Sequence, residues 1–269
     1  MPEELRHWVD VRPLENVHKG TYWWSAHRLT RASEKYAELT SLMKSVVDRA
    51  TSHPPKGRAR LENGGTVGRS SEFEYQADGL FLFGERRHAS FLGSEIVHHL
   101  RSSLDHLVYH AAWRDSGNVQ KRTQFPVYRK QDDWRKNVAR DLKGVSPQHV
   151  SLIEAVQPMN GVTWTGHLAD MSNADKHRIG VDIGISTSIQ VSYENPLPDP
   201  GDPSFVLVDT RTTAVEMQVL SGGARREVSK VFNDMFLGAA RLLNNFLREE
   251  GLQELVTYGP GSIELPGLT

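Results

Sequence analysis

The sequence predicts an α+β chain that is mainly a helical bundle, with a small antiparallel β-sheet inserted in it. Two observations carry this. Segments at about 22–50, 91–113 and 224–250 repeat apolar residues at three- and four-residue steps, the period of one helix face. The stretch at about 179–220 changes to period-two alternation with β-branched residues, the pattern of half-buried strands. Isolated amphipathic helices are marginal in water, so the three stripes need one another for burial. The last helix should therefore return to the bundle. That makes 1–269 a single domain, with the bundle drawn from about 22–174 and 224–250 and the β-rich stretch as an insertion.

The elements follow in order. The first helix carries Tyr36, Leu39, Met43, Val46 and Ala50 on one stripe and is broken by Thr51-Ser52-His53-Pro54-Pro55-Lys56-Gly57. Asn63-Gly64-Gly65 is a turn signal. Phe73 and Tyr75 alternate with Glu72, Glu74 and Gln76, Ala77-Asp78-Gly79 turns, and Leu80-Phe81-Leu82-Phe83 returns, which reads as a hairpin. The second helix stops at Asp115-Ser116-Gly117-Asn118. Residues 123–128 form a short extended piece, because Pro126 disfavours helix at Phe125. Short helices are expected at about 131–142 and 147–156. Ser146-Pro147 gives the second a capping hydroxyl and a proline at its first position, and Gln157-Pro158 stops it. A further helix at about 164–174 leads to the strands. Val181, Ile183, Ile185, Ile189 and Val191 alternate, 195–201 is a proline-rich loop, and 205–209 and 214–220 are two more strands. Ser221-Gly222-Gly223 then turns into the last helix, whose stripe is Val228, Phe232, Met235, Ala239, Leu242 and Phe246. Gly251 ends it.

Composition excludes several function classes. Apolar residues make up 38% and charged residues 24% of the 269, an ordinary soluble composition. No run of about 18 apolar residues is present, so no membrane span is expected. The N-terminus lacks the basic-then-apolar layout of a secretory signal. The absence of cysteine excludes disulfides, thiolate metal sites and a cysteine nucleophile, and fits a cytoplasmic chain. The net charge of −1 gives no global basic field, so any nucleic acid would have to meet local patches. Three are visible: Lys56-Gly57-Arg58-Ala59-Arg60; Arg129-Lys130 with Arg135, Lys136 and Arg140; and Arg225-Arg226 with Lys230. Each reads first as a solvated face or a loop.

The chemistry concentrates in two places. The first is Val97-His98-His99-Leu100-Arg101-Ser102-Ser103-Leu104-Asp105-His106-Leu107-Val108-Tyr109-His110 on helix two. At ~100° per residue, Ile96, Val97, Leu100, Leu104, Leu107, Val108 and Ala111 fill an arc of ~120° and form the core face. Arg101, Asp105 and His98 lie together on one flank, with Arg101 and Asp105 at ion-pair spacing. His99, His106 and His110 form a second stripe, and His106 and His110 have the spacing of two metal ligands on one helix. A third ligand would have to come from Asp170, Asp175 or His177. Three readings stay open for the first flank: a structural network that ties down another helix, an acid–base site, or a metal site. The second place is Asn173-Ala174-Asp175-Lys176-His177-Arg178. It reads as a helix terminus with basic residues on its dipole, or as a phosphate or carboxylate clamp with His177 as proton carrier.

Two resemblances rest on these residues. Leu100-Arg101 with Leu104-Asp105-His106-Leu107, then Phe125-Pro126-Val127, then Asn173-x-Asp175-Lys176-His177-Arg178 resembles the pattern of a group of uncharacterised bacterial proteins. It departs from that group at His99, where the group has asparagine. Arg101 and His106, four residues between them, also resemble the R-x4-H motif of HEPN-type helical ribonucleases. That second resemblance implies a homodimer with helix two at the interface and metal-free RNA binding or cleavage without a cofactor. Arg101 would stabilise the phosphorane, His106 would act as acid or base, and Asp105 would orient. His177 would be a second proton carrier, with His98, Lys176 and Arg178 meeting the phosphate. Two alternatives stand beside it. One is a non-catalytic binding module in which the Arg/Asp/His motifs are structural. The other is a metal-dependent hydrolase built on His106, His110 and an acid.

Overall fold

The computed structural model describes residues 10–11, 22–52, 57–62, 66–67, 83–118, 120–121, 123–176, 180–199, 202–252 and 256–257. It is mainly helical, with a small antiparallel sheet. Helix α1 (Trp23–Ser52) and helix α2 (Phe83–Ser116) run antiparallel along most of their length. Their register can be followed from Tyr22 beside His110, through Ser25 with Ser103 and Lys35 with Glu95, to Arg49 with Glu85. Ser25 and Ser103 are both buried. Their hydroxyls lie 3.0 Å apart and Ser103 also donates to the Ser25 carbonyl at 2.8 Å, which fixes one helix against the other.

Helix α2 begins two turns before the expected 91. Residues 84–88 carry no apolar side chain, so no apolar stripe marks these turns. They are held instead by Glu85, which complements the helix dipole and meets Arg49 Nη2 at 2.6 Å. Phe83, expected on a returning strand, opens this helix; the rest of the hairpin expected over 72–82 lies outside the described residues.

Helices α3 (Gln131–Asp141) and α4 (Pro147–Ala155) follow where the sequence places them. Ser146 caps α4 by accepting the His149 N–H, and Pro147 takes the first position. A short 3-10 helix (Pro158–Asn160) leads to α5 (Trp164–Lys176). Two long strands come next, β4 (Ile183–Asp199) and β5 (Asp202–Ser221), and then β6 (Ala224–Glu227) and helix α6 (Val228–Glu249).

The sheet corrects the expected boundaries in four places. The two strands expected at 205–209 and 214–220 are one continuous strand, β5. Strand β2 (Gly57–Glu62), read as a loop with a basic run, pairs with β5 from Gly57↔Val208 to Arg60↔Phe205, and β3 (Thr66–Val67) extends the order to β3-β2-β5-β4. The loop expected at 195–201 is mostly strand. β4 is an edge strand, where prolines without N–H groups are tolerated, and its register shifts between Ser192 and Leu197 accommodate Pro196. Residues 224–227 form a strand rather than the start of the last helix. Gly222 and Gly223 both have positive φ (60° and 76°), the two-residue turn that matches strand twist, and it folds 224–227 back onto β5. A two-residue pair, β1 (Asp10–Val11) with β7 (Val256–Thr257), lies apart from this sheet.

The whole expected stripe of α6 is buried. Phe232 and Phe236 meet Tyr36 at 5.8 and 5.5 Å between ring centres, and Gly238 lies under the Trp164 indole of α5. On α2, Gly93 leaves room for Val181 and Ile183, which seats the start of β4 on the bundle. His167 Nδ1 lies 2.8 Å from the buried Ser221 hydroxyl and ties α5 to the end of β5. One end of the bundle is closed by a polar network. Asp115 accepts the Ser146 N–H at 2.6 Å and lies 2.8 Å from His149 Nδ1, while the His149 ring stacks on Phe246 at 4.5 Å. Glu250 takes the Tyr22 hydroxyl and Arg114 Nε at 2.9 Å. Burial pushes the Asp115 carboxyl up, but the bonds from His149 and Ser146 outweigh it and hold it below the usual carboxylate range. Among the described residues, no helix is long and apolar enough to cross a membrane.

Candidate functional site

Residues 125–128 are extended but pair with no strand, so their backbone groups need other partners. Side chains supply them. Asp105 Oδ1 accepts the Phe125 N–H at 2.8 Å, and Arg101 donates to the Phe125 carbonyl. Gln157, fully buried, donates to the Pro126 carbonyl at 3.0 Å and accepts the Tyr128 N–H at 2.8 Å. The Met159 N–H reaches the Tyr128 carbonyl at 3.4 Å. Arg101 Nη2 lies 3.2 Å from Asp105 Oδ1. The Arg101–Asp105 pair therefore acts here as one jaw of a clamp and Gln157 as the other. This is the geometry of a structural network, although the segment tied down is an extended one rather than a helix.

The clamped segment is one wall of a cleft of about 250 Å³. Arg101, Gln124, Tyr128, Asp141, Ser172 and Asn173 give it a polar lining. Three segments far apart in the sequence thus meet in one place: Arg101 from α2, Phe125-Pro126-Val127, and Asn173 from α5. The Tyr128 hydroxyl donates to Asp141, and burial together with that bond pushes its pKa up to about 12. Hydrogen bonding from Arg140 holds the Asp141 carboxyl below its ordinary value. The cleft offers one guanidinium, two amides, two hydroxyls and a carboxylate. Such a set can hold a small polar or anionic group. Asp175 and Lys176 form the last turn of α5, a few residues past Asn173, with side chains outside the description. His177 and Arg178 lie outside the described residues.

His106 lies elsewhere. Five residues after Arg101, it points ~140° away around the helix. Its ring stacks near Trp24 of α1 at 6.3 Å, with His110 at 6.3 Å on its other side. His110 is 7% exposed, and neither ring nitrogen has a hydrogen-bond partner. His99 Nδ1 lies 3.4 Å from Arg28 Nη1, and His98 is exposed with its ring 5.6 Å from that of His99. Arg101 and His106 therefore share no pocket within one chain. Among the described residues, no three His, Asp or Glu side chains gather as a metal site, and Asp170 is paired with Arg129. Two of the basic patches are partly neutralised by that pair, by Arg140 with Asp141 and by Arg225 with Asp182; of the third, only the backbone of 57–60 is described.

Two contributors escaped sequence reading. Gln157 looked only like a helix stop, since nothing in its neighbours announces a buried amide. Trp24 did leave a signal: it falls ~120° from Tyr36 on the α1 wheel, off the core stripe.

Burial lowers the proton affinity of His99, His106 and His110, with Arg28 adding to it at the first two and His106 at the third. All three are biased toward the neutral form in the fold. Their stabilisation is complete above the ordinary value of 6.5 and is lost as pH falls through the depressed folded values. We expect the melting temperature to drop between about pH 7.5 and about pH 5.5 and His110→Phe to make that drop shallower, as read by differential scanning fluorimetry. Equal slopes for both proteins would show that His110 carries none of it.

The chain matches no protein-family model, no curated protein and no solved structure.

Proposed function

We propose that this chain is an RNA-binding module that holds a single strand across the outer face of α2, with one phosphate in the cleft beside Arg101. The observation that carries this reading is the meeting of Arg101, residues 124–128 and Asn173 in one polar cleft, at the point where α5 runs on towards Lys176, His177 and Arg178. From Arg101 round to His106 the face carries His98, Ser102 and Tyr109, and its acids, Asp105 and Glu95, are paired with Arg101 and Lys35. Binding is favoured over cleavage because Arg101 is engaged by the Phe125 backbone and His106 is on another flank. The R-x4-H pair would need a second copy to complete it.

The test is fluorescence anisotropy of a labelled single-stranded oligoribonucleotide, from about 50 mM to about 200 mM salt, with and without EDTA. With about two phosphates neutralised, the slope of log affinity on log salt should be about −1.4. Asn173→Glu adds a negative charge at the rim without touching the clamp and should weaken binding about fivefold or more. No binding at the lower salt would remove the RNA reading. Cleavage that survives EDTA and disappears in His106→Ala would replace binding by catalysis.

A further inference from the structure

We infer that the cleft reads guanine, with Asp141 accepting the two adjacent N–H donors of the base whose phosphate meets Arg101, an inference that deepens the RNA-binding reading and rests on it. Among the described residues, Asp141 brings the cleft its one carboxylate. The side chain is 20% exposed, and both of its oxygens are held in place. Oδ1 accepts Arg140 Nε at 2.7 Å, and Oδ2 accepts the Tyr128 hydroxyl. Each oxygen of an ionised carboxylate has two acceptor sites, so each keeps one for a ligand. The group is oriented before a ligand arrives and still offers two acceptors side by side. Bonding from Arg140, and after it from Tyr128, outweighs burial and favours the ionised form. In that form Asp141 only accepts.

A pair of acceptors separates the four bases. The Watson–Crick edge of guanine carries two neighbouring donors, N1–H and the 2-amino group. Adenine and cytosine set one amino group beside a ring-nitrogen acceptor, and uracil sets one N–H between two carbonyls. Against any of these three, the carboxylate brings an oxygen up to another acceptor, which is repulsive. The rest of the lining fits the same ligand. Arg101 spends Nε and Nη2 on Asp105 and the Phe125 carbonyl, which leaves Nη1 without a partner among the described residues. The Gln124 and Asn173 amides are exposed and likewise have no partner among the described residues. Pro126 and Ala169 give an apolar wall to the face of a ring. The cleft, at about 250 Å³, is smaller than the ~300–1,000 Å³ of sites for drug-sized ligands, so it takes one base rather than a run of them. Its charges also favour such a ligand over a bare anion. A phosphate alone would meet Arg101 and Asp141 with attraction and repulsion together. A guanosine phosphate sets its negative charge at the first and its donors at the second.

The experiment measures fluorescence anisotropy of labelled oligouridylates of one length, unsubstituted or with a single central guanosine, inosine, adenosine or cytidine, binding wild type and Asp141→Asn. Inosine lacks only the 2-amino group of guanosine, so that comparison needs no change in the protein. Wild type should bind the guanosine strand about tenfold more tightly than the inosine strand, and by at least as much over the other three. In Asp141→Asn the new carbonyl can still accept the Tyr128 hydroxyl, and circular dichroism confirms folding. An amide offers one acceptor where the carboxylate offers two, so the ratio of guanosine to inosine affinity should fall to about one. Equal binding of the guanosine and inosine strands by wild type would overturn the guanine reading and leave RNA binding standing. A guanosine preference that Asp141→Asn retains would also overturn it, because another group would then be reading the base. If no strand binds wild type, both readings fall.

Discussion

Gly238→Ala should destabilise the protein by about 2 kcal/mol, lowering the melting temperature by about 4–8 °C, although alanine is the better helix former. Two effects oppose each other. Replacing a mid-helix glycine by alanine gains about 1 kcal/mol from propensity and from the less flexible unfolded chain. Against that, a Cβ at this position would stand 2.4–2.5 Å from three atoms of the Trp164 indole. Trp164 is buried, so the ring can retreat only by shifting α5, and overpacking of this kind costs about 3 kcal/mol. The steric term wins. Because α5 also carries Ala169, Ser172 and Asn173, its displacement should weaken binding in the cleft as well. Trp164→Leu in the same chain should recover much of the loss, giving a double-mutant coupling of at least about 1 kcal/mol. A Gly238→Ala variant as stable as wild type by urea titration would mean that the ring moves freely.

Gln157→Leu should cost about 3 kcal/mol, more than almost any other substitution that keeps side-chain volume. The amide donates to the Pro126 and Ile153 carbonyls in buried bonds and accepts the Tyr128 N–H in a partly buried one. Leucine fills the space but leaves those groups unpaired, at about 1–3 kcal/mol for each that stays buried. The Arg101–Asp105 jaw remains, so the segment should come loose at Tyr128 and stay held at Phe125. Amide exchange should therefore accelerate at Tyr128 far more than at Phe125. Equal acceleration at both would show that the two jaws act as one.

The parts of the fold that were legible in the sequence are those where burial alone decides. The stripe of α6 and that of α1 over 36–46 are apolar because they face the core, and every expected position that is described there is buried. The Ser146-Pro147 cap was legible because its chemistry is local. The first turns of α2 were not, since Glu85 is fixed by Arg49, which no periodicity records. Strand β2 was hidden for a similar reason: its partner, β5, lies far along the chain, and alternation of Arg58 and Arg60 with small residues resembles a solvated loop. At the cleft, the spacing of Arg101 and Asp105 correctly announced an ion pair, but the Phe125 backbone that the pair grips depends on where the chain returns. The histidine stripe was visible on the wheel of α2; the tryptophan beside it came from another helix.

The pairing of β2 with β5 has a consequence for the nascent chain. Gly57–Glu62 is synthesised long before its partner around Phe205–Val208 exists, and at ~5–20 residues per second that interval is roughly seven to thirty seconds on the ribosome. Through it a strand-forming segment waits without its final neighbour, in the condition that invites pairing with other chains. Arg58 and Arg60 place a positive charge at two of the three alternate positions of the waiting segment, the third being Glu62. Like charges on neighbouring polysomes repel, so these two arginines act as gatekeepers against aggregation before they are part of any folded surface.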